Sequence, residues 1–164
     1  MSRSRYHIAR AALVAALLPL YPANATAHAV RETATERAYA EAINRVRTAH
    51  GLRALEEETA LVESAREHSA DMVANQYFAH GVNWWKRLVR AGASGTHLGE
   101  NLGWCAIQAC PGAAPDSLIQ MWLASPDHRA TLLSPAFRRL GVGVSHGPFH
   151  GWKSAVIVTT DFDG

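Results

Sequence analysis

Only two cysteines, Cys105 and Cys110, occur in the 164 residues, and neither sits in a CxxC pair. That excludes a thioredoxin-like redox motif and a multi-cysteine zinc cage. No HExxH, no glycine-rich phosphate loop and no GxSxG elbow is present, which removes the commonest zinc-protease, nucleotide and serine-hydrolase signatures. There is no internal repeat and no low-complexity stretch. No apolar run reaches the roughly 20 residues that a membrane-spanning helix needs. An excess of positive charge is missing too, once the N-terminus is set aside. Three of the 16 basic residues (Arg3, Arg5, Arg10) and none of the 14 acidic ones lie in residues 1–29, leaving 13 against 14 and a net −1. So weak a balance carries no nucleic-acid footprint.

Residues 1–29 have the three parts of a cleavable secretory signal. Three arginines precede a ten-residue apolar run from Ala11 to Leu20, and Ala25-Thr26-Ala27 and Ala27-His28-Ala29 offer small-x-small cleavage sites. A retained N-terminal anchor is the alternative. Cleavage leaves residues 30–164 as a single domain, secreted or periplasmic according to the envelope, with no stable membrane anchor and expected as a monomer. In an oxidising compartment a lone close cysteine pair is read as a Cys105–Cys110 disulfide, with a two-cysteine metal clip as the rival. Closing so short a loop contributes about 2 kcal/mol and pins a loop rather than holding the fold.

The domain opens on Thr33-Ala34-Thr35-Glu36, a capping-box spacing, followed by Tyr39, Ile43 and Val46 at helical intervals and Gly51 as a stop. A second helix is expected to begin in Glu56-Glu57-Glu58 and to carry Leu61, Ala65, His68 and Met72 on one stripe. His68 reads as a hydrogen-bonded core histidine before it reads as a ligand. Residues 81–96 look irregular, with a short helix around Trp84 to Arg90. His97 to Trp104 reads as a strand on which Leu98, Leu102 and Trp104 share a face with Glu100. A carboxylate on an apolar face costs several kcal/mol unless it is paired.

Pro115 introduces a helix with Leu118, Met121 and Trp122 as its stripe. Ser125-Pro126 then places an N-cap and a first-turn proline ahead of His128. Leu140, Val142 and Val144 alternate with Gly141, Gly143 and Ser145. From Trp152 to Phe162 apolar residues occupy both faces, the mark of a covered strand. The connection from His146 to Gly151 suits an antiparallel hairpin. These elements imply an α+β fold: a three-layer α-β-α sandwich around a central antiparallel sheet.

The order Asn44, Arg47, Gly51-Leu52, Leu55; Ser69 to Met72; Tyr77-Phe78-Ala79-His80; Gly99-Glu100-Asn101-Leu102; Trp122 to Arg129; Leu132 to Pro135; Leu140 to Gly143 and Phe162 resembles the bacterial, SCP-like branch of the CAP superfamily. That superfamily comprises cysteine-rich secretory, antigen 5 and pathogenesis-related class one proteins. The resemblance covers roughly residues 36–164. It implies the same sandwich and a cleft lined by two histidines and two glutamates, matched here by His80, Glu100 and His128. Ser125 stands where the second glutamate is expected, which undercuts any mechanism that needs paired acids.

Two imidazoles and a carboxylate suit a divalent metal such as zinc. The same three groups also suit a buried hydrogen-bond network that knits helices to the sheet. No other catalytic residue stands out, and His97, His146 and His150 read as loop or surface residues. The expectation is a secreted binding module whose cleft takes a small apolar or peptide ligand. A hydrolase with Glu100 as base and a cell-surface scaffold are the alternatives.

Overall fold

The computed structural model describes residues 33–110 and 115–164. The expected export signal lies outside the described residues. Helix α1 (Ala34–Ala49) starts where the capping box places it: the Thr33 amide donates to Glu36 Oε2 at 2.7 Å and the Glu36 amide to Thr33 Oγ1 at 3.2 Å. It ends in a Schellman motif, with Leu52 N–H on the Arg47 carbonyl, Gly51 N–H on that of Thr48, and Gly51 at φ 72°.

The acidic run does not open the second helix. Glu56–Glu57 forms a short strand β1, parallel to β3 (Arg139–Phe149), because the amides of Glu56 and Glu58 donate to the carbonyls of Arg138 and Leu140. Those bonds satisfy an otherwise open strand edge and delay helix α2 to Thr59–Asn75. Its expected stripe of Leu61, Ala65, His68 and Met72 is buried. Helix α3 (Trp85–Ala91) and strand β2 (Leu98–Ala106) follow, then α4 (Pro115–Ala124) and α5 (Pro126–Leu132). In α4 the inward residues are Leu118, Ile119 and Trp122, whereas Met121 is 57% exposed. Strand β4 (Trp152–Asp163) pairs with β3 through a tighter hairpin than expected, turning at His150 and Gly151, both with positive φ.

The sheet order is β1-β3-β4-β2, so β4 is central and β2 is an edge. Apart from the short β1, neighbouring strands are antiparallel. On one face, Leu140, Val142, Val156, Val158 and Phe162 pack with α1, α4 and α5 through Tyr39, Ile43, Leu118, Ile119, Trp122 and Leu132. On the other face α2 lies directly on the sheet. A Cβ at Gly141 would come within 2.1 Å of the Leu61 backbone, and one at Gly143 within 2.1 Å of the Ala65 and Arg66 backbone. The glycines that alternate with the apolar residues of β3 are therefore a seat for α2. Ser69 fixes the register of that seat: its hydroxyl donates to the Gly143 carbonyl and is hydrogen-bonded to the Thr159 hydroxyl, both at 2.9 Å. This is the α-β-α sandwich expected. Cys105 and Cys110 are joined, with their Cα atoms 6.1 Å apart. Among the described residues no helix is long and apolar enough to cross a membrane.

Candidate functional site

Glu100 is carried by the edge strand β2 on the face that α2 and α3 cover, and its side chain is fully buried. The β2–β4 register sets it opposite Asp161, so two carboxylates face one another inside the protein. Left alone, such a pair would repel strongly in a medium of low polarisability. Arg87 of α3 lies between them. One guanidinium nitrogen donates to Glu100 Oε2, and the other donates to Asp161 Oδ2 at 2.8 Å and to the Ser64 carbonyl at 2.8 Å. Ser64 Oγ also donates to Asp161 Oδ2, at 2.6 Å. One arginine does not neutralise two acids. Burial and the neighbouring charge of Glu100 push the Asp161 carboxyl up to about 7, against the lowering effect of Arg87.

The other oxygen of Glu100 accepts from His80 Nδ1 at 2.7 Å. His80 follows the end of α2, and its side chain is 45% exposed, so the pair runs from solvent to the interior. The loop that delivers it is held by His68, whose Nε2 donates to the Ala79 carbonyl at 3.1 Å. His68 is thus the hydrogen-bonded core histidine expected from its stripe. It also lies 3.9 Å from Glu100, and burial lowers its pKa. Tyr77 bonds Asp71 on the outer side of the same loop.

His128 enters from the other layer. Asn101, next to Glu100 on β2 but pointing to the opposite face, donates to the His128 carbonyl at 3.0 Å. The His128 ring is bonded through Nδ1 to Ser125 Oγ at 2.9 Å, so Ser125 does not cap α5 with its side chain. Burial lowers the pKa of His128, and the neighbouring charge of His80 acts in the same direction. Beside His128 a cavity of about 270 Å³ is walled by Phe78, Leu102, Trp104, Leu118, Met121 and Trp122. Trp122 is fixed there by a 2.7 Å bond from its indole N–H to the Leu102 carbonyl.

His80 and Glu100 are therefore in direct contact, whereas the ring partner of His128 is Ser125 and not Glu100. Among the described residues no group of three His, Cys, Asp or Glu side chains is arranged to hold a metal ion. Both oxygens of Glu100 are already engaged by Arg87 and His80, which leaves the carboxylate poorly placed as a direct ligand. Arg87 and Asp161 were not singled out from the sequence. The signal for Asp161 was available: an acid on a strand covered from both sides needs partners as much as the carboxylate on an apolar face at Glu100 does.

The profile of the CAP family, the cysteine-rich secretory protein family, matches residues 40–162. The chain belongs to this family. Among its relatives are two uncharacterized proteins of Bacillus subtilis, both matched over little more than two thirds of this chain. The membrane protein YlbC is 32% identical over 117 residues, 69% of this chain and 32% of its own length. YkwD is 30% identical over 115 residues, 68% and 42% respectively. The chain thus spans less than half the length of either. An extracellular protein of Bacillus anthracis containing an SCP domain superposes with a TM-score of 0.63 at 26% identity, covering 79% of this chain and 40% of that one. For this CAP domain, the family assignment agrees with the ordered motifs from Asn44 to Phe162.

Proposed function

We propose that this CAP domain is an exported binding module that takes an apolar group, from a small molecule or a peptide side chain, into the cavity beside His128. The observation that carries the reading is the contrast along the cleft: a preformed apolar cavity with an imidazole at its rim lies next to a carboxylate that solvent does not reach. A cavity of this size suits one aromatic or branched side chain rather than a whole drug-sized ligand. His128, with its pKa lowered, stays neutral at pH 7 and offers a hydrogen bond without a charge to desolvate. The hydrolase alternative is less well supported, because a general base must reach substrate or its water, and Glu100 is enclosed by Arg87 and His80.

Indole serves as a probe of the cavity. Titration should perturb the ring resonances of His128 at the cavity rim, and Met121→Lys should abolish the effect without unfolding the protein. Binding that survives Met121→Lys, or peptide hydrolysis by the protein that is lost in His80→Ala, would overturn the reading.

A weak divalent site is a second reading, favoured by one detail. The Nδ1 atoms of His80 and His128 are both fixed by oxygen partners, the arrangement that orients Nε2 for a metal. His80 and His128 would then be the ligands, with Glu100 behind His80 rather than on the ion. Zinc should raise the melting temperature, and the rise should vanish in His80→Ala or His128→Ala. Export itself is tested by intact mass: a mature start at His28 or Val30, two hydrogens lighter for the disulfide. A full-length chain with two free thiols would contradict it.

A further inference from the structure

Helix α3 has an outward surface that neither the fold nor the cleft uses. Leu88 and Arg87 point inward, Leu88 fully buried and Arg87 bound to Glu100 and Asp161. What remains outside is ordered in two adjacent stripes at four-residue spacing. Trp85 and Val89, 44% and 51% exposed, form one; Lys86 and Arg90 form the other. Val82, just ahead of the helix, is 95% exposed. Neither Lys86 nor Arg90 has an acidic partner among the described residues. The nearest contact of Lys86 is the Trp85 ring, 5.4 Å from its ammonium to the centroid. From Met72 to Gly99 the chain holds no acidic residue at all. The open cleft beneath this helix, about 540 Å³, carries Lys86, Arg87, Arg90 and His80 on its walls and no carboxylate.

We propose that this face docks peripherally on an anionic phospholipid surface, with Val82, Trp85 and Val89 entering the interface and Lys86 and Arg90 set against the phosphates. Charge and apolarity together select this partner. A polyanion such as nucleic acid would use the cations but leave Val82, Trp85 and Val89 in water, and two free cations are few for such a partner. A neutral apolar partner would leave two unpaired cations at its contact. A bilayer surface offers an apolar layer beneath a plane of negative charge, and tryptophan is favoured at that boundary. The rigid attachment of α3 through Leu88 and Arg87 means the face is already formed and docking needs no refolding. Attachment through two cations and three apolar side chains is reversible and falls with added salt.

The test is co-sedimentation of the exported protein with vesicles of phosphatidylcholine alone and of phosphatidylcholine mixed with phosphatidylglycerol. Binding is expected to the mixed vesicles and to be lost at high salt. Lys86→Ala with Arg90→Ala should weaken it about 30-fold, and Trp85→Ser with Val89→Ser should weaken it at low salt as well. All four side chains are exposed, so circular dichroism of both variants should match the parent. Equal binding to phosphatidylcholine alone, or unchanged binding in either double variant, would overturn the proposal. So would displacement by free glycerol phosphate, which would reassign the cleft to a soluble anion, or Lys86- and Arg90-dependent binding of DNA or polyglutamate with no binding to vesicles.

Discussion

On one side of the sheet, Val156, Val158 and Phe162 of β4 meet α1, α4 and α5 in an apolar layer. On the other side, the alternate positions of the same strand carry Ile157, Thr159 and Asp161, and toward its C-terminal end the layer becomes ionic, with Arg87 between Asp161 and Glu100. Apolar packing is non-directional and tolerates repacking, whereas a buried charge network demands every partner at once. The candidate site sits where the two regimes meet, at the β2 edge, with His80 attached to the ionic layer and His128 to the apolar one.

The difference can be broken or sharpened in order of expected effect. Gly143→Val drives a side chain into the backbone of Ala65 and Arg66 and should cost more than about 4 kcal/mol, read as loss of cooperative unfolding at room temperature. On the ionic face, Arg87→Ala should cost roughly 3–5 kcal/mol in denaturant titrations, because it leaves Glu100 and Asp161 buried without their cation, and Glu100→Ala should cost less, because Arg87 keeps Asp161 as its partner. Replacing the network together, with Arg87→Met, Glu100→Leu and Asp161→Leu, should recover most of that loss. If the triple variant were as unstable as Arg87→Ala alone, the network would be contributing stability that apolar packing cannot replace.

A smaller effect distinguishes the titrating groups. His68 is held below its ordinary pKa by burial, so its folded form prefers the neutral ring. The stability this supplies is complete above about pH 6.5 and is lost as pH falls through the lowered value. Asp161 has the opposite sign: its raised pKa favours the protonated fold, and that contribution is lost as pH rises through about 7. The two contributions oppose each other below about pH 7, so each is read by difference from the parent: on acidification, His68→Gln should keep more of its chemical-unfolding midpoint than the parent does. Asp161→Asn should lack the gain in midpoint that protonation of the Asp161 carboxyl gives the parent as pH falls below about 7. The smallest effect belongs to the exposed pair Arg45–Asp116, 3.2 Å apart, whose removal should change stability by no more than about 0.5 kcal/mol.

Much of this was legible in local pattern. The capping box at Thr33, the stripe of α2, the proline start of α5 and the two-faced β4 each follow from spacing and backbone chemistry confined to a few residues. The misreadings came where a distant partner outbid local preference. Glu56 and Glu57 suit a helix start but were claimed by the open edge of β3. Met121 fits the helical stripe of α4, yet the sheet lies on the Ile119 side and leaves it at the cavity rim.

By itself, then, the sequence determined the elements other than β1, the layer order and the need of Glu100 for partners, since periodicity and the cost of burying a charge are properties of single segments. Which partners answered that need was decided only in three dimensions. Arg87 and Asp161 meet Glu100 because the β2–β4 register and the seating of α2 and α3 close a gap that no sequence interval encodes. Ser125, in the chain a cap and the residue at the place of the second glutamate, becomes the ring partner of His128 one helical turn away, because a hydroxyl's role depends on which donor or acceptor the folded backbone brings within about 3 Å.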